Sequence, residues 1–156
     1  MDIQRTVTGT EPVSLTDMKL YLKVDYATDD ALITQLIKSV REHCEEFTGK
    51  SFVASEIVWN VEAESGQVIR MPYPAIDEIE PIDGVTFKGV ENKRAVFEIS
   101  GEYDIEYTTA GICPQAVKMA IMKAVAEAYE NRQNTKDGSV GMLPEGTYRI
   151  LMQYTI

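Results

Sequence analysis

The chain has 156 residues and a formal net charge of -10, with 44% apolar and 26% charged residues. That length suggests one domain able to bury roughly 68–70% of its unfolded surface, and the composition excludes wholesale disorder. The acidity argues against a tight non-specific grip on DNA, which needs clustered Lys and Arg. The two cysteines, Cys44 and Cys113, lack CxxC spacing and read as reduced apolar residues of a cytosolic protein. No basic segment precedes an apolar run at the N-terminus, and no stretch approaches 18 apolar residues, so neither a signal peptide nor a membrane span is expected.

Residues 1–13 read as an extended arm. A short helix is expected over about 14–24, with Ser14 as N-cap and Asp17 in the first turn, where the helix dipole favours negative charge. A longer helix follows over about 28–48, capped by Thr28 or Asp29. At 100° per residue Leu32, Ile33, Leu36, Ile37, Val40, Cys44 and Phe47 share one arc. Gln35, Lys38, Arg41, Glu42, Glu45 and Glu46 take the other. Gly49 stands where a left-handed C-cap belongs.

The period then changes to two. Ile57, Trp59 and Val61 alternate with Val58, Asn60 and Glu62, and further strand-like runs extend to Thr108. Turns are expected at "PYP" and "EPIDG". Residues 51–108 thus read as a β-rich insertion holding 12 acidic and 4 basic side chains, a balance of -8. Helix returns over about 114–132, with Pro114 at its first position. This helix is apolar around most of its circumference, and Ala116, Ala120, Ala124 and Ala128 permit close approach of another helix. One partner would leave much of it wet. A second is required, from the same chain or from a neighbouring subunit. The polar loop "QNTKDGSVG" leads to an apolar segment over about 143–156, read as a short helix or an extended tail. The fold class is α+β: a small helical bundle with an antiparallel β-rich insertion between the second and third main helices.

Candidate chemistry is sparse. His43 is the only histidine, and its neighbour Cys44 cannot face it across consecutive helix positions, so a packed or interface role is expected. Asp25, Asp29 and Asp30 lack the glycine and final Glu of a calcium loop, and helix capping explains the last two. Glu45 with Glu46, and Asp77, Glu78 and Glu80, read as solvated acidic faces rather than acid/base pairs. Phosphate-binding glycine patterns do not occur. Trp59, Tyr73, Tyr103 and Tyr107 lie in the strand region with few cations nearby, so core or interface is expected rather than a nucleic-acid platform.

Three stretches together resemble the head–tail connector (head-completion adaptor) family of long-tailed bacteriophages, in the branch with a β-rich insertion. They are "VSLTDMKLYLKVDYATDDALITQLIKSVREHCEEFTGKSF", "YTTAGICPQAVKMAIMKAVAEAYENR" and "LPEGTYRILMQYTI". "MPYPAI" is similar to a turn of that branch. The resemblance implies one connector domain over 1–156 and a structural role without catalysis, cofactor or metal. It implies a homo-oligomeric ring, a dodecamer on the portal protein, joined below to a stopper or tail-completion protein. The genome is then passing cargo, and no membrane is involved. The protein would assemble in the host cytoplasm and reside in the virion neck. Ala120, Ala124, Tyr129, Leu143, Tyr148, Leu151 and Tyr154 become the expected subunit or portal interface, with 143–156 as a docking segment. Two alternatives stand beside this: a small carboxylate-using enzyme or ligand-binding protein of a prophage, and a tail-side neck protein.

Overall fold

The computed structural model describes residues 2–70, 72–73, 83–91, 94–131 and 143–155. The polar loop at 133–141 and most of the two expected turns lie outside them. Of "EPIDG", Asp83 and Gly84 are described, and they form a turn. The elements in chain order are β1 (Asp2–Val7), α1 (Leu15–Leu22), α2 (Asp30–Thr48), β2 (Ser55–Arg70), β3 (Val85–Glu91), β4 (Arg94–Thr109), α3 (Gln115–Asn131) and α4 (Glu145–Leu151). A single 3-10 turn, Met152–Tyr154, follows α4. The class is α+β, with the strands β2 to β4 inserted between α2 and α3. The chain divides into two compact units. One takes the residues up to Thr10 and Gly49–Ile112; the other takes Glu11–Thr48 and Cys113–Thr155.

The sheet unit is an antiparallel sheet of order β1-β2-β4-β3. Alternation of apolar and polar residues puts Ile57, Trp59, Val61 and Ala63 of β2 on one face, with Ile99, Ile105 and Tyr107 of β4. All are buried, and half-buried Tyr73, Val85 and Tyr103 pack against them. A register shift between Ala63 and Gln67 bends the two long strands, as extra residues in one strand do. The N-terminal arm is not a free extension. It is the edge strand β1, paired with β2 from Asp2↔Asn60 to Val7↔Ser55. Beyond β4, Gly111 (φ 66°) lies against the backbone of Val53 and Ala54, so close that a Cβ would stand 2.0 Å from the Ala54 nitrogen. Only glycine fits there.

The helical unit follows its capping signals. The Ser14 hydroxyl accepts from the Asp17 N–H at 3.1 Å, as expected. α1 ends on Lys23, a non-glycine residue in the left-handed region (φ 58°), whose N–H donates to Leu20. No glycine marked this end in the sequence. Gly49 (φ 71°) takes the left-handed position after α2. The buried arc of α2 contains Ile33, Leu36, Ile37, Val40 and Cys44, as the 3.6-residue period predicts. It also contains Arg41 and Glu45, each 1% exposed. These two were expected on the solvent arc, and their burial is a correction. Phe47, expected inside, is 36% exposed.

Candidate functional site

The buried charges of α2 pair with each other and with Glu11. The Arg41 guanidinium donates from Nε and Nη2 to the two carboxylate oxygens of Glu11 at 3.0 and 2.9 Å. From Nη1 it donates to Glu45 at 2.7 Å. Burial alone would lower the Arg41 pKa. The hydrogen bonds and negative charge of Glu11 and Glu45 outweigh it and raise the value, so the arginine stays cationic. A bidentate fork of this kind holds geometry as well as charge. It fastens the segment ahead of α1 to the middle of α2. Periodicity could not reveal it, because the partner carboxylate is 30 residues away in sequence.

A second polar cluster lies at the start of α2. The Tyr129 hydroxyl on α3 donates to Asp29 ahead of α2, and Tyr26 and Tyr129 share a hydrogen bond of 3.2 Å. The bond to Asp29, then that to Tyr26, pushes the Tyr129 phenol up to about 12. Asp30 pairs with Lys19 of α1 at 2.7 Å. Asp29 and Asp30 therefore act as tethers between helices. Among the described residues no group of three or more His, Cys, Asp or Glu could hold a metal ion.

His43 is half-buried and lines a shallow groove of about 250 Å³ with Glu46, Phe47, Leu143 and Tyr148. Phe47 and Tyr148 meet edge to face, their centroids 5.0 Å apart. Cys44 is turned inside. Burial, then the charge of Cys113 and Glu45, pushes its thiol up to about 12, which makes it a poor nucleophile. Cys113 is pushed up to about 11, again chiefly by burial.

The expected interface residues fall into two groups. Ala120 (1% exposed), Ala124 (3%), Leu143 (7%) and Leu151 (0%) are already buried within a single chain. Thr147 of α4 is buried beside them and donates its hydroxyl to the Ala120 carbonyl at 3.5 Å. So the C-terminal segment folds back onto α3 of its own chain and supplies the second partner that the helix demanded. Tyr129, Tyr148 and Tyr154 remain half-buried. Among the described residues, the face of α3 left open carries Met119 (45% exposed) with half-buried Met122 and Ala126.

The sheet unit presents a different surface. Its outward positions are the even-numbered ones, in cross-strand rows Asp2–Asn60–Asp104, Gln4–Val58–Glu106 and Thr6–Glu56–Thr108. Glu62 stands opposite Glu102. Asp2, Glu56, Glu62, Glu102, Asp104 and Glu106 are all exposed on this face, and none of these rows holds a cation. Asn60 bridges part of it, donating to Asp104 at 2.9 Å. Like charges directly opposite one another weaken a sheet, so this face is not arranged for stability.

Residues 12–82 match the family model of phage gp6-like head–tail connector proteins. That range takes in the first of the three sequence stretches quoted above; the other two lie beyond it. No curated protein matches the chain. Among solved structures, a chain in the neck of an empty gene transfer agent particle, computed with C6 symmetry, is similar over 97% of this chain and 95% of its own. The two share 15% identity at a TM-score of 0.69. A chain in the neck of the native particle, computed with C12 symmetry, gives 13% identity and a TM-score of 0.66 over 97% and 94%. A chain in the virion of the native gene transfer agent gives 13% and 0.68 over the same shares.

Proposed function

We propose, proceeding from the match of residues 12–82 to the phage gp6-like head–tail connector family model, that this chain is a structural protein of a virion neck. It forms a ring beneath the portal protein, of twelve copies, and hands over below to a stopper or tail-completion protein. The observation that carries the reading is the family match over 12–82, extended by a fold shared along almost the whole chain with neck proteins of a symmetric particle. The reading needs no catalytic group.

Lateral contact between neighbouring copies falls on the open face of α3, where Met119, Met122 and Ala126 present apolar surface to a cyclic, head-to-tail interface. The genome passes through as cargo. The acidic sheet unit repels phosphate, so a wall built from such units lets duplex DNA slide. Assembly takes place in the host cytoplasm and the product resides in the neck.

The test is reconstitution with purified portal rings from the same phage, viewed by electron microscopy. A ring of this protein on the portal is expected. Met119→Glu should leave the fold intact, since the side chain is 45% exposed, and should reduce ring formation. Portals that remain bare with the unaltered protein would refute the neck reading. Unchanged rings with Met119→Glu would refute the lateral face alone.

A further inference from the structure

The two edges of the sheet are not treated alike. Edge strands are open templates for another chain, and soluble proteins blunt them with lysines, prolines or bulges. β3 is blunted: its register shifts between Phe87 and Gly89, and Lys88 is held by Glu98 at 2.6 Å. β1 is not. Its sequence, DIQRTV, has no proline and no lysine, and its register with β2 is unbroken over six residues. Its one cation is drawn to the core side, where Arg5 donates to Ser51 at 2.8 Å and Ser55 at 3.0 Å and lies 5.2 Å over the Tyr73 ring. Among the described residues, no strand pairs with the outer edge of β1.

The two faces at this edge differ in chemistry. On the core side, Ile3 lies opposite buried Trp59, yet Ile3 is 42% exposed and Val7 41%. Among the described residues the apolar layer therefore continues past the last strand without cover. On the outward side, Asp2, Gln4 and Thr6 border the acidic rows of β2 and β4. A strand added beside β1 would place alternate side chains over Ile3, Arg5 and Val7, and the others beside Asp2, Gln4 and Thr6, with the carboxylates of β2 and β4 further in on the same face.

We propose that the outer edge of β1 receives an extended segment of a partner protein, alternating apolar and basic residues. The apolar set completes the layer begun by Ile3 and Val7, and the basic set answers the acidic face. Main-chain hydrogen bonds hold the segment, and the two faces select it. The occupant is a different protein rather than a second copy, because no described strand of this chain alternates basic and apolar residues. This assignment stands apart from the neck reading and names no component of it.

The probe is a blocked peptide of alternating lysine and valine, six residues long to match β1. Its counterpart alternates glutamate and valine. Binding to the full chain is measured by calorimetry, and amide hydrogen exchange locates it. The lysine peptide should bind and slow exchange at residues 2–7, and the glutamate peptide should bind at least tenfold more weakly. Ile3→Lys with Val7→Lys should weaken the lysine peptide at least tenfold. Gln4→Lys with Thr6→Lys, at exposed positions, should do the same through charge alone. Circular dichroism checks that each pair remains folded. Three results would overturn the proposal: no protection at 2–7, equal binding of both peptides, or self-association of the chain that Ile3→Lys/Val7→Lys abolishes.

Discussion

Replacing Arg41 with alanine tests the helical unit at its most charged interior point. The side chain is 1% exposed and makes three hydrogen bonds of 2.7 to 3.0 Å, to Glu11 and Glu45. Glu45 is itself 1% exposed, so the substitution takes the Arg41 cation away from a buried carboxylate. Breaking one member of such a pair costs roughly 3–5 kcal/mol. For a chain of this size each kcal/mol moves Tm by about 2–4 °C, so a fall of roughly 6–20 °C is expected. Glu42 provides the contrast. It approaches Arg41 at 3.7 Å but is 51% exposed, and Glu42→Ala should cost under ~1 kcal/mol. Replacing the pair together, as Arg41→Met with Glu45→Leu, removes both buried charges and should recover most of the loss, because Glu11 is 29% exposed and can return to water. Urea denaturation followed by far-ultraviolet circular dichroism at the helical band measures all three. A folded Arg41→Ala protein that loses less than about 1 kcal/mol would refute the reasoning, for it would mean that Glu45 is solvated after all.

Leu151, fully buried on the segment that covers α3, should cost roughly 2–5 kcal/mol on truncation to alanine by the same measurement, and a near-neutral result would show that α4 is not packed there. The Cys44 thiol, pushed up by burial from about 9 to about 12, stays protonated in the fold while the unfolded chain ionises it. Its contribution is therefore whole below pH 9 and is lost as pH rises toward 12. The stability difference between wild type and Cys44→Ala should shrink over that window, and thiol reagents should react slowly at pH 8 unless urea is present. The isolated protein should bind duplex DNA weakly in a titration at physiological salt; submicromolar affinity would overturn the passive-conduit reading.

Local signals in the sequence were sufficient wherever the cause was local. The 3.6-residue period located α2 and α3, Ser14 and Gly49 marked ends that the structure keeps, and the alternation around Trp59 assigned the buried face of β2. These follow from chain geometry within a few residues. Tertiary structure decided the rest. Arg41 and Glu45 look solvated by period alone, and only Glu11, 30 residues earlier, turns their arc into interior. Ala120 looks open on its own helix until Thr147 of α4, 27 residues later, is found beside it. The arm at 2–7 has no partner in its own neighbourhood, and becomes an edge strand through residues 55–60. In each case the determining atom arrives from a distant part of the chain. A buried charge or an apolar face states that it needs a partner, but its own sequence does not say which segment will come.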